Sequence, residues 1–567
     1  MDAWELSICV SGDVQDCAVN SLRIIRVYSS KRLAMNFAKG ILLWVFLILI
    51  TVPATSQTRD LDTLNRIQET ALNHSQIMDM VGYLTDVSGP RLTGSPNLKR
   101  AEEYARDKLR DWGIANAHLE SWGPFGRGWS LEGFTANMSS PSFSPLIAYP
   151  KAWSPGTNGT VRGEVVFLDV KTPADLDRYK GKLKGKIILF SPARHVDPLF
   201  GPPAQRRTDE ELQRLANAPA PGEPVPFQPS PEQRAAEDLN YLKWQLVQSE
   251  GAAVVLEPSF RDAGTVYVTA ATVPYPSAVP FGKRVNAWDL SRPLVTPQIN
   301  VAAEQYNRIV RLVARGIPVQ LEVKIATRFY DNDPMSYNVI AEIPGTDLKD
   351  EVVMIGGCIN SWHAGTGATD NAAGAATALE VVRILQSLGL KPRRTIRVGL
   401  WSAEEQGGLG SRAYVAAQLG RRIDAVDGQT AHARFEFKPE YEKFDAYLNF
   451  DYGTGRIRGI FLQGNAAAQA LFRDALDHVK SLNSSTVSIA NVGASDHISF
   501  DEIGLPGFQW IRDYMEGSST RAPHTNMDTY DHVLEDDLKQ SAAVAASVVY
   551  DLSMRDERVP HKPLLSH

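Results

Sequence analysis

Short apolar runs that end on glycines or acidic residues recur along the second half of this chain. Glu351-Val352-Val353-Met354-Ile355-Gly356-Gly357 reads as a buried strand opening into a loop. A second strand-like run, residues 394–401, delivers the adjacent Glu404 and Glu405 just before a Gly407-Gly408 break. A third, residues 445–450, ends on Asp451. After Asp370 the pattern becomes helical. Ala372, Ala373, Ala375 and Ala376 are small, and Leu379, Val382, Ile384 and Leu385 form a stripe that stops at Gly389 and Pro392. Asp370 is therefore predicted at the entrance to a helix, and His524 in a loop before a C-terminal helix.

The first half is patterned differently. Residues 163–168 and 185–190 read as two strands around a basic, polar loop, and residues 235–251 as a helix leading into a strand at 252–256. The Pro-rich residues 218–231 favour extended chain over packed core. No internal repeat is visible.

Ligands of an open α/β sheet sit just past the strand ends. The segments ending there supply Asp370, Glu405, Asp451 and His524, hard oxygen donors and one imidazole, which suits zinc or a similar divalent ion. Glu404 is left over as a base. Singly, each has an ordinary alternative: solvated charge for the glutamates, a helix N-cap for Asp370, a helix-entry turn for His524 with Thr525 and Asp528. Their combined order and spacing favour a site.

In these segments the chain resembles the cocatalytic dinuclear zinc exopeptidases that include carboxypeptidase Q, glutamate carboxypeptidase II and the bacterial leucyl aminopeptidases, over roughly residues 62–555. The resemblance implies that Asp370 bridges two zincs, that Glu405 and His524 complete the first, that Asp451 ligates the second, and that Glu404 is the general base. It also implies a cis peptide between Asp370 and Asn371. The departure lies at Cys358 and Asn360, where relatives usually carry His-x-Asp, the histidine on the second zinc and the aspartate holding its ring. Cysteine as thiolate preserves the charge sum. Its sulfur, however, lies closer to its own backbone than a histidine Nε2, and a Zn–S bond of about 2.3 Å recovers little of the difference. The second metal then shifts, binds weakly or is missing. Two zincs are expected by resemblance, or one if Cys358 is inert core.

His363 is not taken as a replacement ligand, because the family tolerates histidine or an acidic residue there. Ala494-Ser495-Asp496-His497-Ile498-Ser499-Phe500 matches a segment that relatives have at the active-site rim. Asp496, His497, Asn360 and Tyr514 are accordingly expected behind the ligands or in the substrate pocket, with a satisfied structural histidine the alternative for His497.

The chain has 567 residues, 43% hydrophobic and 22% charged, an ordinary globular composition with room for more than one core. Its net charge of −6 and the absence of a long basic run argue against a nucleic-acid partner. Residues 41–52 form an apolar core behind Lys39, short for a membrane span and followed by Pro53-Ala54-Thr55-Ser56, so residues 35–56 read as a signal peptide, with an uncleaved anchor as the alternative. Residues 1–34 look like a misassigned extension ahead of a true start at Met35. Cys9 and Cys17 lie there, which leaves Cys358 alone in an exported chain without a disulfide.

The expected architecture is an α/β peptidase domain, residues 62–141 and 324–555, with a mixed sheet flanked by helices. Residues 142–323 resemble an inserted β-rich, α/β protease-associated domain that lids the cleft in the family. The expected function is an exported zinc metallo-exopeptidase acting on short peptides, either aminopeptidase or dipeptidase, with a homodimer among the open assemblies. The rivals are a single-zinc, glutaminyl-cyclase-like enzyme and a non-enzymatic binding protein.

Overall fold

Eight strands, three of them the apolar runs identified above, form the sheet that carries the candidate ligands. Its order is Ala115–Trp122, Ser336–Ile343, Arg394–Trp401, Leu348–Cys358, Phe444–Asn449, Gly507–Arg512, Ile457–Phe461 and Thr486–Ser488. The four central strands run parallel, with Cys358 level with Trp401 and Asn449 level with Gln509, so their C-terminal ends form one edge. Antiparallel strands close both flanks. This computed structural model describes residues 61–563 apart from residues 199, 203, 223–226, 424–433, 452 and 514–521. The expected extension, the signal peptide and Tyr514 lie outside the described residues.

One face of this sheet is covered by the helices Leu61–Asn73, Pro96–Asp111, Ala373–Ser387 and Glu535–Met554, which share a single hydrophobic core with the strands. Helix Ala373–Ser387 is buried on almost every side, which its run of small residues permits. On the other face Trp401, Tyr414, Tyr447 and Phe500 form an aromatic layer.

A second eight-stranded sheet has the order Ser144–Pro145, Gly128–Ser140, Gln320–Tyr330, Val161–Phe167, Ile187–Leu189, Val254–Pro258, Gln298–Val301 and Ala148–Pro150. It reaches beyond the 142–323 window, because Gly128–Ser140 and Gln320–Tyr330 pair along their whole length, from Gly128 against Tyr330 to Ser140 against Gln320. Helix Pro231–Ser249 begins four residues before the expected 235. Ser230 and Gln233 form a reciprocal capping box and Pro231 takes the first helical position, which together fix the earlier start. Among the described residues, no helix is long and apolar enough to cross a membrane.

Candidate metal centre and active site

The parallel strand ends position most of the candidate ligands. Cys358 is the last residue of its strand and is 1% exposed. Glu404 and Glu405 lie just past Trp401, beyond a turn in which Ala403 takes φ 56°. Asp451 lies two residues past Asn449. Asp370 precedes helix Ala373–Ser387 at a cis peptide with Asn371, as the resemblance implied. The loop before the C-terminal helix brings in His524, itself at φ 61°.

Two donor groups result, and they share Asp370. In one, His524 Nε2 lies 3.0 Å from both Asp370 Oδ2 and Glu405 Oε2. In the other, donor atoms of Cys358, Asp370 and Asp451 lie within 4.8 Å of one another. A tetrahedral ion with bonds of about 2.0–2.3 Å needs donors about 3.3–3.8 Å apart. Both groups are close enough for such a spacing, so Asp370 with Glu405 and His524, and Asp370 with Cys358 and Asp451, could each hold a divalent cation. Burial and the adjoining Asp370 push the Glu405 carboxyl up. Burial alone would lower His524, but Glu405 and Asp370 outweigh it and drive the imidazole well above its ordinary value. Glu404 belongs to neither group; burial, then Asp451 and Glu405, push its carboxyl up. So many acids in a buried site call for cationic charge.

The loops around the site are tied together by residues that sequence reasoning missed or read differently. Asp528, weighed only as part of a helix-entry turn, instead accepts the backbone N–H groups of Thr369 and, at 3.2 Å, Asp370. The fully buried Arg91 donates to the carbonyls of Ile359, Thr366 and Gly367 and so spans the loop between Cys358 and Asp370. Gly365 lets that loop pass against the His524 loop, since a Cβ there would stand 2.6 Å from the carbonyl oxygens of Thr525 and Asp528. Asn360, expected to stand in for an aspartate that holds an imidazole, has Cys358 rather than a histidine to serve. Its Oδ1 accepts the Glu404 N–H at 3.1 Å. Asn371 Nδ2 approaches Cys358 Sγ at 3.3 Å.

A cleft of about 530 Å³ opens over these groups, walled by Asp370, Glu404, Asp451 and His524 and, from the loop that follows strand Val254–Pro258 of the second sheet, by Arg261 and Tyr267. His497 and Asp496 do not line it. His497 is fully buried with Nε2 2.9 Å from the Val492 carbonyl, the arrangement of a structural histidine. Asp496 is fully buried too, its carboxyl pushed up to about 7 by burial. His363 lies against the Pro150 carbonyl at 2.7 Å, away from the ligands.

These two buried histidines give an expected acid sensitivity. Burial lowers both His363 and His497 to about 4, below the ordinary 6.5. A histidine depressed in the folded state stabilises the fold fully above the unfolded value and loses that contribution as pH falls through the folded one. The window is pH 6.5 down to 4, worth roughly 3 kcal/mol for each histidine. Thermal melts across that range should show a progressive fall in Tm, smaller in His497→Gln; an unchanged slope in the variant would contradict this assignment.

The mixed α/β fold and the donor groups at its strand ends define a peptidase of the metal-dependent kind. Residues 338–549 match the family model described as Peptidase family M28. Carboxypeptidase Q of Mus musculus is 25% identical over 492 residues, which cover 85% of this chain and 86% of the mouse protein. Among solved structures, a peptidase M28 precursor from Shewanella amazonensis superposes with a TM-score of 0.60 at 22% identity, covering 89% of this chain and 99% of that one. A zinc aminopeptidase from Bacillus subtilis gives a TM-score of 0.50 at 16% identity, covering 85% and 95%. These two structures share the fold.

Proposed function

We propose that this chain is an exported zinc exopeptidase of short peptides with Glu404 as its general base. The observation that carries the reading is the pair of donor groups meeting at Asp370 with Glu404 beside them on the cleft wall. In this reading Asp370, Glu405 and His524 would hold one zinc, and Asp370, Cys358 and Asp451 would hold another. Zinc is supported by the mixed oxygen, nitrogen and sulfur donor set and by the zinc aminopeptidase among the structural neighbours. When bound, zinc supplies Lewis-acid polarisation of the scissile carbonyl and acidifies a water molecule.

The chain's own residues do the rest. Glu404 takes the proton from the attacking water and returns it to the leaving amine; a carboxyl raised by burial and neighbouring acids suits both halves of that transfer. Asn360 fixes the Glu404 backbone, and Asp528 the backbone of Asp370. Arg261 and Tyr267 narrow the cleft from the loop after strand Val254–Pro258, which fits a protease-associated lid over residues 142–323 that admits chain ends and dipeptides rather than folded protein. The Arg261 guanidinium at that wall suits the free carboxylate of a dipeptide. Export follows from the signal pattern at residues 35–56.

A single-zinc enzyme is the second reading, and one observation favours it. Burial, with Asp451 and Glu404 adding to it, pushes the Cys358 thiol well up, so ligation has to displace a tightly held proton. Elemental analysis of protein purified without chelators, wild type beside Cys358→His, tests both readings, alongside hydrolysis of dipeptides. Two zincs in the wild type support the dinuclear peptidase. One, rising to two in the variant, points to the single-metal enzyme. No zinc in either chain, or no hydrolysis of any dipeptide or peptide, overturns the proposal.

A further inference from the structure

We infer that Tyr267, on the loop after strand Val254–Pro258, is a positioning residue for His524, so that the metal affinity of the centre depends on its hydroxyl orienting the imidazole. The inference rests on the reading of Asp370, Glu405 and His524 as a metal site. Tyr267 Oη lies 2.7 Å from His524 Nδ1, and the two rings are 5.1 Å apart between centroids. With Nε2, which faces Asp370 and Glu405, given to a metal, Nδ1 would carry the ring proton and donate it to the phenol oxygen.

The contact is built from backbone as well as side chain. Residues 266–268 run antiparallel to residues 524–526. Val268 N–H donates to the His524 carbonyl at 2.9 Å, Asn526 N–H to the Val266 carbonyl at 3.3 Å, and Tyr267 bridges to Thr525. Asn526 Oδ1 accepts the Val266 N–H at 2.7 Å. Tyr267 is in turn fixed by its neighbours. Its N–H donates to Ser259 Oγ at 3.0 Å, its carbonyl accepts from Asn300 at 2.8 Å, and its ring packs on Phe260 at 4.0 Å. A seam of Trp153, Val266 and Val268 against Trp362 and Ala403 holds the two sheets together beside the site.

Two features of His524 make an outside support necessary. Its φ of 61° lies in the left-handed region, uncommon for a residue with a Cβ, so the loop's own conformational preference does not hold it there. Its ligand partners are carboxylates in a pocket already rich in acids, where a neutral phenol orients the ring without adding another negative charge. A carboxylate in that place would aggravate the repulsion.

The test uses the full chain stripped of metal and titrated with zinc against a chromophoric chelator, and separately with cobalt(II), whose visible absorption reports ligand geometry. Tyr267→Phe keeps the ring packing and removes only the hydroxyl. It is expected to weaken zinc binding at one site by about 10–100-fold and to alter the cobalt spectrum, with the melting temperature of the metal-free chain close to wild type. Ser259→Ala, which loosens the Tyr267 backbone but leaves the hydroxyl, is expected to bind zinc nearly as the wild type does. Wild-type affinity and an unchanged cobalt spectrum in Tyr267→Phe overturn the inference and leave the metal reading standing. So does an equal loss in Ser259→Ala, because docking and not the hydroxyl would then be responsible. A wild-type chain that takes up no zinc overturns both.

Discussion

Glu404→Gln is expected to lower kcat by about 10²–10⁴-fold while the chain keeps its metal and its melting temperature. Glutamine has the same shape and preserves the backbone hydrogen bond to Asn360, since that bond is made by the Glu404 N–H. What it lacks is a carboxylate able to accept a proton. Glu404 is outside both donor groups, so metal content should not follow activity downward. Steady-state kinetics on a dipeptide, with elemental analysis of the same preparation, checks this. A variant that retains wild-type kcat would remove Glu404 from the mechanism. One that loses metal as well as activity would make it a ligand.

The second large effect concerns the residue that both donor groups share. Asp370→Asn should strip the chain of all bound metal and reduce hydrolysis by at least about 10³-fold, the scale of several kcal/mol of lost transition-state stabilisation. Asp451→Asn touches only the group that contains Cys358, so it should cost at most one metal. The contrast between the two variants is the informative part. Equal metal loss in both would mean that occupation of one site requires the other; loss of a single metal in Asp370→Asn would contradict the bridging position. Because the asparagine still offers an oxygen at the same place, its effect reports the missing charge rather than a cavity.

Three of the four central strands could be read from the chain because they are continuous apolar runs, as parallel strands buried on both faces must be. The ligand loops were legible for a related reason, since acids directly after such runs have few structural uses. The limits of the second sheet were not. Gln320–Tyr330 and Gly128–Ser140 carry interrupted, half-exposed patterns, and only their mutual pairing makes them strands of that sheet. His497 was misleading in the opposite sense. Its Ser-Asp-His context suggested a pocket, yet helix His497–Asp501 turns the imidazole into the core, while the neighbouring Ser495 and Ile498 reach the cleft. Asn360 changed partners because, with Cys358 in the place of a histidine, no imidazole stands there to be held.

By itself the sequence determined the α/β class, the strand-end placement of Glu404, Glu405 and Asp451, the helix-entrance placement of Asp370, and the anomaly at Cys358, all consequences of local hydrophobic period and of residue chemistry. The tertiary structure alone decided which distant groups support them. Arg91 reaches a loop about 270 residues away, Asp528 the Asp370 backbone 158 residues away, and Tyr267 the His524 ring 257 residues away. None of these three has a local signature, because an arginine, an aspartate or a tyrosine in a loop reads the same whether it faces solvent or a metal ligand. What gives each its role is the crossing of two sheets and four loops at one place, where buried polar groups must find partners or be left unpaired at a cost.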